Sequence, residues 1–313
     1  MTLNRQSGDD NMCTSLTINA DNNHLMFGRT MDFPTKTPWQ LTYLPTQYHF
    51  RSVTGGQVFT SRHVILGGMR QTHGHYLIGD GINDAGLTVA ELYFPVEATY
   101  YDAPVAGKIN LSPQDFTTWL LAQHASVAEI TAELSQVALI GVQWYDLEAI
   151  YPFHWVLADK TGSYLIEPTG QQLTVRKNPV GVLTNTPNFD RQIANLNQFL
   201  NLNDANWGGA TQTKVKQFNG EIPNRTIPTD RFIKTSIWKY RDAPTNLSQR
   251  DIIQFLHTVK IDKHNDRHDY THYYGVIDTA TQEYWFQGVN DPTTTKVSIK
   301  DLAGEPTRTF AKE

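Results

Sequence analysis

The chain has 313 residues, a formal net charge of −5, 39% apolar and 18% charged residues, and a single cysteine. This composition excludes a disordered chain. The lack of a basic block argues against a nucleic-acid partner, and no window approaches the ~18 apolar residues of a membrane helix. One cysteine forms no internal disulfide, and residues 1–12, MTLNRQSGDDNM, carry no apolar secretory core, so the expected location is cytoplasmic.

Taken in chain order, TSLTIN (14–19) alternates, is rich in β-branched residues and predicts a strand. DNNH (21–24) predicts a turn, and LMFGRTMDF a second strand returning on the first. HYLIGDGINDAGLTVAELYF (75–94) predicts two further strands around a Gly/Asp/Asn turn. A helical block follows: SPQDFTTWLLAQHA has Ser112 as N-cap and Pro113 at the first helical position. SVAEITAELSQV starts at Ser126 with Glu129 three residues on, the pattern of a capping box. HWVLADKTGSYLIEP predicts a hairpin and QQLTVRKN another strand. FDRQIANLNQFL, TDRFIKTSIWKY and SQRDIIQFLHTV have helical spacing, and YYGVIDTATQEYWFQGV predicts a closing hairpin. Hairpins, then helices, then hairpins do not make the βαβ alternation of a parallel sheet. They predict an α+β chain of antiparallel sheets with helices on their outer faces.

Cys13 has two readings. A lone cysteine is commonly a small buried hydrophobe. It also follows Met12, a junction whose cleavage would leave Cys13 as the first residue. A free α-amine titrates near ~8 in model peptides and can take the thiol proton itself, as in threonine-plus-amine nucleophiles. Arg29 would favour the thiolate, and Asp32 can accept a hydrogen bond from the amine. Taken singly, Arg29 reads as a surface charge and Asp32 as a turn residue before Pro34. The predicted hairpin brings both back to Cys13.

In order along the chain, MCTSLTI, FGRTMDF, GLTVAELYF, GVLTNTPNFD and IPTDRF resemble the choloylglycine hydrolase family, the N-terminal-nucleophile hydrolases that include bile salt hydrolases and penicillin V acylases. The resemblance runs from Cys13 almost to the C-terminus. It implies a four-layer αββα sandwich of two antiparallel sheets flanked by helices. It further implies Cys13 as nucleophile, Arg29 beside the thiol and Asp32 beside the α-amine. Asn185 corresponds to a side-chain donor of the oxyanion hole, Arg231 to a second site arginine, and Tyr93 to the position whose backbone N–H completes the hole. Tyr93 stands where penicillin V acylases usually carry Tyr and bile salt hydrolases Asn. The resemblance also places Met31 and Phe33 at the acyl pocket, requires no cofactor and implies a homo-oligomer of tetrameric form. Without it, Asn185 reads as a turn residue, Tyr93 as strand packing and Arg231 as a surface ion-pair residue.

With residues 1–12 attached, the Cys13 nitrogen is a peptide amide and not a base. They are therefore expected to be absent from active protein, as a leader or a mis-assigned start, unless activity has been lost; residues 13–313 would form one domain. The expected partner is a small-molecule N-acyl amide, first of the penicillin V type and second a glycine- or taurine-conjugated bile salt. The rival from another class is a non-catalytic binder that retains the pocket. His264, His268 and His272 are spaced four apart, as for a metal on one helix face, but HNDRHDYTH is polar enough to predict a solvated loop. GDGINDAG has Ile82 where a calcium loop needs an oxygen ligand. No metal site is expected.

Overall fold

The computed structural model describes residues 13–20, 24–34, 38–147, 149–264 and 270–312. Residues 1–12, most of the predicted turn at 21–24, and His268 lie outside the described residues. Strands β1 (Thr14–Asn19), β2 (Leu25–Asp32) and β3 (Gln40–Leu44) precede a small hairpin of β4 (His49–Arg51) and β5 (Val58–Thr60). β6 (Ile65–Thr72), β7 (His75–Asn83) and β8 (Thr88–Tyr93) follow. β9 (Ile109–Leu111) leads into α1 (Pro113–Gln123) and α2 (Val127–Glu133), and β10 (Val137–Leu139) pairs parallel to β9. Then come β11 (Phe153–Asp159), β12 (Gly162–Ile166), β13 (Arg176–Lys177) and β14 (Val182–Leu183). α3 (Phe189–Phe199), α4 (Gly209–Gln217), α5 (Pro228–Ile237) and α6 (Gln249–His257) precede β15 (Thr271–Asp278), β16 (Glu283–Gly288), β17 (Thr295–Ser298) and β18 (Arg308–Lys312).

Two antiparallel sheets organise these strands. One has the order β14-β1-β2-β15-β16-β17, the other β13-β12-β11-β8-β7-β6-β3-β18. α5 and α6 cover the first sheet, packing on β1, β14, β2 and β15, while α1 and α2 cover the second. The uncovered faces meet: a Cβ on Gly68 of β6 would collide with the Tyr273 hydroxyl of β15, and one on Gly79 of β7 with the Met31 methyl of β2. This is the expected αββα sandwich.

The layering explains the sequence pattern. β15 is buried at every residue although it reads THYYGVID, because α6 lies on one side and the other sheet on the other. Thr271 accordingly pairs with Asp32, His272 Nε2 with the Phe33 carbonyl and Tyr273 with Asp80. α1 is buried from Pro113 to Ala122, whereas α6 turns only Ile252, Ile253, Phe255 and Leu256 inward.

The predicted caps form at Ser112 and Ser126, although Glu129 reaches the backbone N–H of Ala125, one residue beyond the position a capping box uses. QQLTVRKN contributes only Arg176–Lys177 to a strand. The hairpin of β15 and β16 does not end the chain, since β17 adds to one sheet and β18 to the edge of the other. β3, β6 and α4 also lack clear sequence signals. β6 holds two adjacent glycines, and at Gly67 a Cβ would collide with the Asp80 carbonyl. The strand is thus built for close approach rather than side-chain packing. His272 belongs to β15, so a helix carrying the three histidines on one face does not form there.

Candidate active site

The β1–β2 hairpin places Thr14 opposite Thr30 and Ser15 opposite Arg29. Cys13, one residue before β1, therefore lies level with the end of β2. Its side chain is 3% exposed. The Arg29 Nη2 donates to Cys13 Sγ at 3.1 Å, and the thiol donates to the Asp32 backbone carbonyl at 3.4 Å. A thiolate would lose the second contact and keep the first. Burial pushes the Cys13 thiol up, and the Arg29 guanidinium works against that shift.

Arg29 is fully buried and its donors are aimed at fixed acceptors. Nε donates to the Thr30 carbonyl at 3.0 Å. Nη1 donates to the carbonyls of Gly79 at 2.6 Å and Glu91 at 3.0 Å. The β7–β8 ladder runs only from Ile82↔Thr88 to Asp80↔Ala90. Beyond that end, the guanidinium binds carbonyls on both diverging strands. A residue of one sheet thus ties two strands of the other and presents its remaining nitrogen to the sulfur.

Asn185 follows β14, the neighbour of β1, and Arg231 sits in the first turns of α5. They meet at Cys13. Asn185 Oδ1 accepts from the Cys13 backbone N–H and from Arg231 Nη2, both at 2.8 Å. Two donors on one atom fix the amide orientation, and Asn185 Nδ2 donates to the Tyr93 carbonyl at 2.7 Å. Arg231 Nη1 donates to the Cys13 carbonyl at 2.5 Å and the Thr14 hydroxyl at 2.6 Å, while Nε holds the Thr226 carbonyl at 2.8 Å. These bonds draw together residues far apart in sequence.

Asp32 ends β2 and is 1% exposed. Its carboxylate faces the hydroxyls of Thr30, at 3.0 Å, and Thr271, at 2.5 Å. As a peptide N–H, the Cys13 nitrogen donates to Asn185 Oδ1. Burial pushes the Asp32 carboxyl up to about 6, against the pull of the two threonine hydroxyls and of Arg231 and Arg29.

Met31 and Phe33 flank Asp32, and both are buried. Met31 Sδ lies 3.6 Å from Arg29 Nη2. Phe33 packs edge-on to Trp39 at 5.9 Å between centroids, tilts against Tyr151 at 5.2 Å and stacks on Phe153 at 6.2 Å. Tyr93 reaches the same group through Tyr151, at 5.9 Å. The two predicted pocket residues and the Tyr93 ring therefore adjoin one aromatic wall. Among the described residues, no cluster of three or more His, Cys, Asp or Glu could hold a metal ion.

Sequence reasoning missed Thr271, the partner of Asp32, and Asp80, which lies 3.5 Å from Arg29 Nη1. Asp80 sat in view within GDGINDAG, but its neighbours in space come from β2, β15 and β16.

The family model for linear amide C–N hydrolases of the choloylglycine hydrolase family matches residues 13–304. The chain belongs to this family. As a choloylglycine-family protein it is a linear amide C–N hydrolase, and its relatives are named for both activities weighed from the sequence. A bile salt hydrolase/transferase of Lactiplantibacillus plantarum is 29% identical over 307 residues, covering 92% of each chain. A penicillin V acylase of Pectobacterium atrosepticum is 27% identical over 267 residues, covering 82% of this chain and 65% of that one. Two solved structures share the fold. A mutant of the conjugated bile acid hydrolase from Clostridium perfringens superposes with a TM-score of 0.81 at 22% identity, covering 96% of each chain. Penicillin V acylase from Agrobacterium tumefaciens gives 0.72 at 22%, covering 95% of this chain and 90% of that one. Among the described residues, this hydrolase has no helix long and apolar enough to cross a membrane.

Proposed function

We propose that the chain hydrolyses small-molecule N-acyl amides through a thioester on Cys13, once Cys13 is the first residue. The observation that carries this reading is the grip on Cys13. Arg29 contacts its sulfur at 3.1 Å, Asn185 its nitrogen at 2.8 Å and Arg231 its carbonyl at 2.5 Å. A structural cysteine in a core has no need of three polar residues, two of them buried arginines.

In this mechanism the free α-amine, oriented by Asn185 Oδ1, removes the thiol proton. Arg29 stabilises the resulting thiolate, which attacks the amide carbonyl. The Asn185 amide nitrogen leaves the Tyr93 carbonyl for the developing oxyanion, and the Tyr93 backbone N–H supplies the second donor. One such donor is worth about 10²–10³ in rate. The ammonium then protonates the leaving nitrogen, so the amine departs neutral. Water, deprotonated by the same amine, cleaves the thioester to release the acid. Asp32, held by the Thr30 and Thr271 hydroxyls, stands beside the α-amine and accepts a hydrogen bond from it once it is free.

The substrate reading is a penicillin V-like amide. A flat aryloxyacetyl group suits the half-buried rings of Tyr93 and Tyr151, which are backed by the buried Phe33, Trp39 and Phe153. A specific observation favours a second reading, glycine- or taurine-conjugated bile salts: the Lactiplantibacillus plantarum relative that matches over 92% of the chain is named as a bile salt hydrolase/transferase. Side-by-side turnover of penicillin V, glycocholate and taurocholate tests the order. Hydrolysis of the bile salts alone reverses it, and a Cys13 that no amide acylates, in protein beginning at Cys13, contradicts the thioester mechanism and favours a binder. Intact mass of active protein tests the nucleophile. Activity with residues 1–12 still attached sinks the amine-as-base mechanism.

We further propose that residues 13–313 act as one domain and assemble as a homo-oligomer, with the tetramer as the form that sedimentation should find.

A further inference from the structure

Behind Arg29, on the side away from the sulfur, lies a buried carboxylate that the mechanism above does not use. Asp80 of β7 is fully buried and lies 3.5 Å from Arg29 Nη1. Its two oxygens are taken by two phenols from the opposite sheet: Tyr273 of β15 donates to Oδ2 at 2.5 Å, and Tyr284 of β16 donates to Oδ1. The sequence clears room for both rings. A Cβ on Gly68 would collide with the Tyr273 hydroxyl, and one on Gly275 with the Tyr284 hydroxyl. Two glycines, two tyrosines and one aspartate, drawn from both sheets, thus form a cage whose open side faces the guanidinium.

The cage is not needed to hold Arg29, which the carbonyls of Thr30, Gly79 and Glu91 already anchor. What it supplies is charge. Without Asp80 the guanidinium would face the sulfur as a full, uncompensated cation in a dry interior. With a bare carboxylate its field at the sulfur would be largely cancelled. Burial pushes the Asp80 carboxyl up, and Arg29 and the two phenols work against that shift, so the cage decides how much of that field the carboxylate offsets.

We propose that Asp80, caged by the hydroxyls of Tyr273 and Tyr284, is a positioning residue that acts through Arg29 and sets the pH at which the Cys13 thiol becomes reactive. The inference rests on the reading of Cys13 as the nucleophile. The other charged or titratable groups acting on the sulfur are Asp32 of β2 and Arg231 of α5, joined by the α-amine once Cys13 is the first residue. Glu91 of β8 is the remaining carboxyl acting at Arg29 and Asp80; burial raises it well above the ordinary carboxylate range, and it accepts from Thr117 at 3.1 Å.

The test is the rate of Cys13 alkylation by iodoacetamide as a function of pH, followed by intact mass on purified protein beginning at Cys13, beside the pH profile of hydrolysis. Asp80→Asn keeps the shape and removes the charge, so the midpoint of alkylation moves to lower pH, by about half a unit or more. Tyr284→Phe removes one of the hydrogen bonds that hold the Asp80 carboxyl ionised against its burial, so Asp80 takes up its proton more readily and the midpoint moves to lower pH, in the same direction as Asp80→Asn and by less. If Asp80→Asn fails to fold, Tyr284→Phe alone carries the test. Midpoints that stay in place, or that move opposite to these directions, overturn the inference. The nucleophile reading fails separately, if alkylated wild-type protein still hydrolyses its substrate.

Discussion

The Arg231 guanidinium donates to Asn185 Oδ1 at 2.8 Å across 46 positions of sequence, and the same oxygen receives the Cys13 N–H. One arginine thereby fixes which way the Asn185 amide faces. Its oxygen serves the Cys13 nitrogen and its NH₂ group faces Tyr93. Reversal of that amide would put a donor against two donors.

The clearest expectation concerns the sulfur. Cys13→Ala abolishes amide turnover, by ~10⁴-fold or more as for other nucleophile deletions, with the fold intact because a small buried residue replaces a small buried residue. Cys13→Ser keeps the shape and retains weak activity. Steady-state rates with circular dichroism as the control check both; a Cys13→Ala protein with wild-type turnover contradicts the assignment.

Asn185→Ala removes both the orienting oxygen and the oxyanion donor. Its kcat falls by about 10²–10³, with a smaller change in KM, because the lost contacts act on the reacting centre rather than on the acyl group. Arg231→Met produces a loss of the same order through the freed Asn185. The double variant loses much less than the product of the two, as expected of residues that act as one unit. Full additivity would contradict the coupling.

Tyr93→Asn separates the two substrate readings. Removing one ring from the aromatic wall lowers kcat/KM for penicillin V by ~10-fold or more and shifts the ratio of penicillin V to glycocholate turnover towards the bile salt. An unchanged ratio places Tyr93 outside the acyl pocket.

Far from the sulfur, Lys239 has a stability signature. Its Nζ donates to the Val180 carbonyl at 2.6 Å, and burial pushes the ammonium down to about 7. The ordinary lysine value is 10.5, so between the two pH values the unfolded chain carries a proton that the folded chain does not. That difference makes folding weaken as pH falls through the window, and below about 7 the full cost is present. Lys239→Met removes the cost while the Tyr240 hydroxyl, at 3.0 Å, still serves the Val180 carbonyl. The variant is therefore more stable than wild type at about pH 6, and the advantage vanishes towards pH 10.5. Chemical denaturation at several pH values reads the difference; a gain that grows with pH contradicts it.

Gly68→Ala tests the space around Tyr273. The added methyl meets a phenol locked on Asp80, so the substitution destabilises by about 1–3 kcal/mol. Thermal unfolding with Gly55→Ala as a reference measures it. Gly55 has open space, although its φ of +82° carries its own backbone penalty.

Much of this protein was legible in one dimension. Short-range physics set the β1–β2 hairpin, the caps at Ser112 and Ser126 and the helical spacing of α3, α5 and α6, because those signals lie within a few residues of one another. The motifs around Cys13, Arg29, Asp32, Tyr93, Asn185 and Arg231 pointed to one family for the same reason. Packing between layers decided the rest. Which hydroxyls hold the Asp32 carboxylate, why β6 is built on glycines, and that Asp80 answers Arg29 all depend on residues of other strands and of the opposite sheet. A linear pattern names the side chains that can ionise or donate. Only burial, which removes the water that would otherwise satisfy them, decides which partners they must find.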